Sequence, residues 1–590
     1  YEPAEIPEKI LTNNLYGIEI DERAGELAAF ALTMKATSKY KGAKQRRFFN
    51  KGVKPNICVL ENVHFGEGEL NDYMDVVGRD LFTAPLQTTL RQFEEADNFG
   101  SLIRPEVTDV DGMLRILETK NVSGQLFISM THQKVLQALQ QADYLSPRYH
   151  VVIANPPYMG GKGMNGRLGA WVKDNYPNSK SDLFAMFIER NLDLAQNHGA
   201  VAMITMQSWM FLSSFETLRA RLLGQNTLLS MAHLGARAFD SIGGEVVSTT
   251  AFVFENAYHL DYKGRYLRLI AGSSEAEKQA AILAVTKNTD SSYLYSASAS
   301  DFKKIPGAPF NYWLGTNLIE LFCKDNLAKK YSIGSGLSTS DNERFVRFIW
   351  EIDRNNVAFD VASGEECKLR SEKWFLFQKG GEFRKWYGNL SHVVNWKDDG
   401  EEIKYWVTNN PKDPNTTHWS RRIFNTELYF QRGLIWSTIS SGVISFRLSD
   451  RGSMISNAAG GIFEFVDDSE LYEVGRALNS KVWTTVIGVL NPTVNYSSGI
   501  IQRAPLPDIK LVDGGIALYD MAKNDWDSYE ASWDFTNLPL LNPDYHQPTL
   551  KATYQKLRAH WREVTLKMQR LEEENNRIFI EAETAAPESA

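Results

Sequence analysis

The apolar run Tyr149-His150-Val151-Val152-Ile153-Ala154 leads straight into Asn155-Pro156-Pro157-Tyr158 and then into the glycine-rich stretch MGGKGMNG. An apolar, β-branched run bounded by turn residues reads as a strand buried in an α/β sheet. The two prolines hold an extended turn at its carboxyl end, where open α/β sheets place their ligands. Asn155 and the Pro156 carbonyl supply hydrogen-bond acceptors there, and Tyr158 supplies a ring on which a flipped-out base can stack. Those groups suit methyl transfer to an exocyclic amine. The amine lone pair is delocalised into its ring, so acceptors must be aimed at the amine protons while the donor is held in line. Asn155, Pro156, Pro157 and Tyr158 are therefore the candidate catalytic residues, and Asn at the first position favours adenine. The same tetrapeptide also serves enzymes that methylate protein glutamine or RNA guanine, and Asn-Pro is a common turn starter after a strand. Features outside the motif must choose.

Upstream, Leu15–Ile20 reads as a strand that ends in acidic residues and enters a helix near Glu22, with Leu27, Phe30 and Leu32 on its apolar face. In a nucleotide-binding sheet, a carboxylate at this point grips ribose hydroxyls, because an ionised acceptor bonded to two vicinal donors discriminates a sugar. Glu19 is the first candidate for that role and Asp21 the second, against the plainer reading of a solvated strand end. Asn56–Val63 is another strand candidate, with Glu61 placed to hold the adenine of a cofactor and Asp143 a competitor for the same role. The long interval before residue 149 implies an insertion over about 64–140, with helical patterns near 85–96 and 132–142. Downstream follow a helix over Lys180–Asn197, a strand over Ala200–Ile204, a helix over Phe215–Leu223 and the apolar strand VVSTTAFVF. That alternation predicts a parallel-dominated sheet in a catalytic domain spanning 1–310.

The chain is 43% hydrophobic and 23% charged with a net charge of −8, which excludes disorder and a global basic field for nucleic acid. Binding must use local patches. One candidate is the acid-free stretch carrying Lys35, Lys39, Lys41, Lys44, Arg46, Arg47, Lys51 and Lys54. Cys58, Cys323 and Cys367 form neither a zinc signature nor a disulfide framework, which suits a reducing, cytoplasmic setting. The start YEPAEIPEKI has no signal-peptide pattern, and no membrane span is expected.

From about residue 330 the texture changes to short strands, frequent turns and aromatics interleaved with basic residues, which predicts a second domain over 330–510. Such a composition suits a DNA-reading surface. Lys379, Arg384, Lys385, Trp386 and Arg447 are its candidate contacts. The alternative is a structural turn bent at Gly380 and Gly381, with many of the tryptophans serving as core. Residues 511–590 read as a helical segment, with one long helix over Thr549–Glu581.

The ordered set LYGIEID, VVIANPPYMGGKG, KSDLFAMFIERNLDLA, GAVAMITMQSWMF, FETLRARLL, KGGEFRKWYGN, NPTVNYSSGIIQRAPLP and LEEENNRIFIEA spans nearly the whole chain. With it the chain resembles the adenine-specific DNA methyltransferases of BREX phage-defence systems, the PglX family, and more distantly the fused methyltransferase-specificity enzymes of restriction systems. The resemblance implies an α/β, Rossmann-like methyltransferase sheet followed by an α+β target-recognition domain. It implies S-adenosyl-L-methionine as methyl donor and the amino group of adenine in double-stranded DNA as acceptor. By the same resemblance, other BREX proteins and phage DNA-mimic inhibitors are expected partners. One departure is large: the family's glycine-rich cofactor loop precedes its acidic strand, and none precedes LYGIEID here. The first strand is thus expected to be missing, with the amino and carboxyl ends both short of the family pattern. A DNA-binding specificity or assembly subunit without transfer activity is the alternative function.

Overall fold

The computed structural model describes the chain except for residues 1, 3–4, 39, 41, 108, 121, 123–125, 147, 241–246, 288–291, 441, 492, 509–514 and 585–590. Of the early basic stretch, Lys39 and Lys41 lie outside the described residues, and Lys51 is paired with Glu8 at 2.7 Å.

The first two strand candidates pair with each other. β1 (Tyr16–Glu19) and β2 (Asn56–Val59) run parallel, with Tyr16 opposite Asn56 and Glu19 opposite Val59. The helix Glu22–Thr37 crosses this ribbon so closely that a Cβ on Gly25 would stand 2.6 Å from the Val59 side chain. Only glycine allows that approach. Residues 69–145 then form the expected insertion as helices Glu69–Val77, Ala84–Gln92, Val110–Glu118 and Leu126–Leu145 with short links. They share a core built on Tyr73, Leu86, Leu90, Phe93, Val135 and Leu139, all fully buried. This core explains why the segment folds as a layer and not as a loop.

β3 (Tyr149–Ala154) begins a six-stranded sheet with β4 (Ala195–Met206), β5 (Thr227–Gly235), β6 (Thr249–Glu255), β7 (Lys263–Arg268) and β8 (Leu294–Ser298). The strand order is β3-β4-β6-β5-β7-β8. β3·β4 and β5·β7 are parallel, whereas β4·β6, β5·β6 and β7·β8 are antiparallel. The expectation of a parallel-dominated sheet is therefore corrected to a mixed one. β6 turns back after β5 and slots between β5 and β4, a reversal that the alternation of strand and helix does not encode. β3 is an edge strand, not buried in the sheet: Val151 is 57% and Ile153 77% exposed, and among the described residues no ladder joins it to β1 or β2.

The compact division of the chain places 1–209 and 214–299 in one unit and 210–213 with 300–590 in the other. In the second unit, β9 (Ser332–Ser335), β10 (Val346–Phe348), β11 (Val357–Ala358), β12 (Trp374–Gln378), β13 (Trp386–Tyr387), β14 (His392–Asn395), β15 (Gly433–Ser437), β16 (Phe446–Ser449), β17 (Ser453–Ile455) and β18 (Ala459–Phe463) form two five-stranded sheets. One runs β10-β14-β12-β11 with β17 on β12, the other β13-β16-β15-β18-β9. The helices Asp468–Leu478, Lys481–Leu490 and Gly515–Asp527 pack on a core that includes Trp436, Trp483 and Tyr519. The expected last helix spans Leu550–Thr584, and Phe579 closes on Trp483 at 6.0 Å between ring centroids. This helix belongs to the second unit.

Candidate active site

β3 ends at Ala154, and Asn155 stands exposed at its carboxyl end, with a side chain that makes no hydrogen bond among the described residues. An amide left without internal partners in an ordered turn is free to bond to something else. Pro156 beneath it is buried and Pro157 is exposed, so the turn is anchored on one side only. Tyr158 is half-buried, its ring edge-on to the buried Phe184 at 6.2 Å. Burial raises its phenol above the ordinary range, so it stays neutral.

The loop after Tyr158 is held by a residue that sequence reasoning missed. Asp182 Oδ1 accepts from the Met159 amide at 3.0 Å and from the Phe184 amide at 3.3 Å, and Leu183 N–H donates to the Met159 carbonyl at 3.0 Å. Asp182 thus caps the helix Leu183–Leu194 and fixes the candidate catalytic turn with one carboxylate. Burial is the largest influence on its carboxyl and raises it. A helix N-cap Asp was readable in KSDLFAMF; its second task was not, because the partner lies 23 residues upstream.

The cofactor candidates fall at the ends of β1 and β2. Glu19 Oε1 accepts from the Ile20 and Asp21 amides at 2.8 and 3.2 Å, which leaves Oε2 unpartnered among the described residues. Asp21 is the N-cap of the helix Glu22–Thr37, accepting from Ala24 N–H at 3.1 Å, and it pairs with Arg23 at 3.2 Å. Its carboxyl is held down first by that arginine. Asp21 is therefore committed locally and Glu19 is the freer acceptor. Glu61 follows β2 and takes a hydrogen bond from Gln137 at 2.7 Å. Asp143 is partly buried on the helix Leu126–Leu145, and burial raises its carboxyl.

The insertion connects these two ends. Gly100 packs against the Ile20 side chain just after Glu19, a Cβ there standing 3.1 Å away. Just before it, Asn98 accepts from the Asn165 amide at 2.8 Å and Glu95 pairs with Arg167 at 2.6 Å, both on the far side of the glycine-rich loop. Behind them Arg190 donates to the Ser101 and Ile103 carbonyls at 2.9 and 2.8 Å. Residues 95–103 therefore touch the end of β1 and the loop after β3, and they bring the ribose candidate and the candidate catalytic turn to one edge of the unit. Beside Asn155, an apolar hollow of about 570 Å³ runs over one face of the sheet past Ile153, Ile204, Met231 and Val253 to Val285. Its size falls within that of small-molecule sites.

In the second unit the DNA-contact candidates separate sharply. Trp386 is 2% exposed and donates its indole N–H to Glu572 at 2.8 Å, and Arg447 is 1% exposed, donating to Ser437 Oγ at 3.3 Å. Both expectations are corrected: neither side chain reaches the surface. Burial drags the Arg447 guanidinium down to about 10. Arg384 pairs with Asp525 at 3.2 Å and lies over the Trp526 ring, and Lys385 pairs with Glu572 at 3.1 Å. The GGEFRKWYGN turn is internally satisfied because its partners come from helices more than a hundred residues downstream, which the local composition cannot reveal. Lys379 alone of the five has no acceptor among the described residues, and burial lowers its ammonium. Sequence reasoning overlooked its neighbours: Phe348 and Trp350 stack at 4.5 Å and 8° on the surface, with the His392 ring 4.5 Å from Phe348. Trp350 is 62% exposed. The signal in FIW was an aromatic pair at i, i+2, easily taken for strand core.

Residues 13–239 match the family model of the Eco57I restriction-modification methylase. The chain is 34% identical to the adenine-specific methyltransferase PglX of Lacticaseibacillus casei (strain Zhang), across 98% of this chain and 48% of the relative. It is also 34% identical to the adenine-specific methyltransferase BrxX of Escherichia coli O9:H4 (strain HS), across 92% of this chain and 44% of that protein. Among solved structures, the type IIL restriction-modification enzyme MmeI in complex with DNA covers 93% of this chain and is covered to 82%, at 13% identity and a TM-score of 0.41. The chain spans about half the length of the curated relatives it matches, and over that span it is similar to adenine-specific methyltransferases, PglX and BrxX among them.

Proposed function

We propose that this chain carries the catalytic and target-recognition parts of a DNA adenine methyltransferase that uses S-adenosyl-L-methionine and acts on duplex DNA in phage defence. The observation that carries the reading is Asn155: an exposed, unpartnered amide at the carboxyl end of β3, on a turn locked by Asp182 and flanked by the Tyr158 ring. Asn155 Oδ1 and the Pro156 carbonyl accept the two amine protons of an extruded adenine, drawing electron density onto the nitrogen, while Tyr158 supports the base by stacking. The cofactor supplies the electrophilic methyl group. The free oxygen of Glu19 fits a ribose hydroxyl pair, and Glu61 or Asp143 fits the adenine end. In the second unit, Lys379 with the Phe348–Trp350 stack offers a phosphate contact beside a platform for bases. Other BREX proteins and DNA-mimic inhibitors of phage are the proposed partners.

The test is genomic. In the host that carries the gene, adenines at one recurring sequence should bear N6-methyl groups, read by single-molecule sequencing, and lose them when the gene is deleted. Unchanged methylation after deletion would overturn the proposal. The lack of a ladder between β1 and β3 among the described residues supports a second, narrower reading, in which this chain binds DNA without a complete cofactor cradle. Calorimetric titration of the chain with S-adenosyl-L-methionine separates the two, since micromolar binding would exclude the narrower one.

A further inference from the structure

The end of the six-stranded sheet remote from Asn155 carries a cluster that methyl transfer does not use. We propose that His198, Glu255 and His259 form a binding site for a divalent transition-metal ion of the zinc class. Glu255 Oε1 lies 2.8 Å from His198 Nδ1 and 3.3 Å from His259 Nε2, and the three atoms all fall within 4.8 Å of one another. Ligands at about 2.0–2.1 Å from a tetrahedral ion stand about 3.3 Å apart, so the two separations from Glu255 are close to those the ion requires. Two imidazoles and one carboxylate are also the donor set of open three-ligand zinc sites, whose fourth position goes to water. His198 itself also lines a polar cavity of about 720 Å³, together with Arg148, Asp193, Arg221 and Asn226.

The backbone around the cluster is fixed in advance. His198 has φ 62°, a left-handed conformation that is unfavourable for a side chain of this kind and persists only where neighbours enforce it. His198 N–H donates to the Asn256 carbonyl at 3.2 Å, and Asn256 N–H donates to the Gly199 carbonyl at 2.8 Å. At Gly199 a Cβ would stand 2.9 Å from the Gln196 carbonyl and 3.1 Å from the His150 carbonyl, so the chain can make this turn only with glycine. Next to Glu255, the Asn256 side chain donates to the Leu192 and Ala195 carbonyls at 3.1 and 2.9 Å and accepts from Asn226 at 2.9 Å. His259 N–H donates to Thr227 Oγ1 at 2.9 Å. All three ligand carriers are thus tied to β4, β5 and β6, and the imidazoles keep solvent-facing sides from which an ion can enter. Bound there, the ion would clip the start of β4 to the end of β6 and the turn beyond it. The spacing Glu255 to His259 is local, but His198 comes from another strand, so no sequence motif announces the set.

The chelator-treated 590-residue chain should be titrated calorimetrically with Zn²⁺. One tight equivalent is expected, with affinity falling about tenfold or more in both Glu255→Gln and His259→Ala, while His64→Ala, away from the cluster, retains it. Co²⁺ in place of Zn²⁺ should give the intense visible absorption of a four-coordinate ion. Equal Zn²⁺ affinity in the unaltered chain and in the His198→Ala, His259→Ala double variant would overturn the site. Should a variant fail to fold, the Co²⁺ spectrum of the unaltered chain decides, and only weak six-coordinate bands would reject the proposal.

Discussion

Asn155 and Arg384 both follow strands, both lie in glycine-containing loops beside aromatic rings, and both present polar groups suited to nucleic acid. Their surroundings are opposite. The Asn155 amide has no partner among the described residues and stands exposed, whereas Arg384 is paired with Asp525 and seated on Trp526. The turn after β3 has its backbone bonded to Asp182, and the Asn155 side chain is left without a partner among the described residues. The aromatic-basic turn spends its side chains on internal contacts, with Lys385 and Trp386 both held by Glu572. Residue type alone therefore does not mark a binding surface; an ordered polar or aromatic group without an internal partner does.

The comparison can be broken most directly at Asn155. Asn155→Ala should lower adenine methylation by about 10²–10³-fold or more, as loss of a transition-state hydrogen-bonding group does, with duplex affinity unchanged. Methylation close to the unaltered level would remove Asn155 from the chemistry. Trp386→Ala should act on folding: about 3–5 kcal/mol of stability lost in denaturant unfolding, because a buried indole is deleted and Glu572 loses a donor. A loss below about 1 kcal/mol would return Trp386 to the surface.

Trp350→Ala should weaken duplex binding by about 1–3 kcal/mol without loss of stability, and Lys379→Ala should reduce the salt slope by about one. Equal binding by both variants would move the interface elsewhere. At the small end, Arg384→Ala with Lys385→Ala should leave affinity and salt slope unchanged and cost at most about 1 kcal/mol of stability for each partly exposed ion pair.

Acid sharpens the contrast differently. His233 in the first unit and His392 in the second are each pushed down to about 4, first by burial, from an unfolded value near 6.5. The folded state therefore binds fewer protons than the unfolded one. The stability these residues contribute is complete above about pH 6.5 and is lost as pH falls toward 4. Thermal unfolding across that window should show both units weakening, and His392→Gln should flatten the dependence for the second. An unchanged slope in that variant would exclude His392 as a source.

Much of the first unit was readable because its signals are local. Tyr149–Ala154 forms as its apolar run demands, the acidic strand ends at Glu19, and the insertion is helical where the periodicity placed patterns near 85–96 and 132–142, the helices spanning Ala84–Gln92 and Leu126–Leu145. Strand direction was not readable. β6 pairs antiparallel between β4 and β5 through ladders between residues tens of positions apart. In the second unit, the basic and aromatic residues were visible, but their burial depended on Glu572 and Asp525, acids that sequence distance hides.

The chain by itself displayed the candidate tetrapeptide Asn155–Tyr158, the strand that presents it, the acidic end of β1 and the change of texture near residue 330, since each rests on neighbouring residues and on one side-chain period. Only the tertiary structure decided which charges were already paired, that Asp182 holds the Asn155 turn, that residues 95–103 bring Glu19 and that turn to one edge, and that two histidines and a glutamate meet at the other end of the sheet. Those outcomes depend on distances between side chains far apart in the chain. Packing sets such distances, and composition and periodicity leave them open.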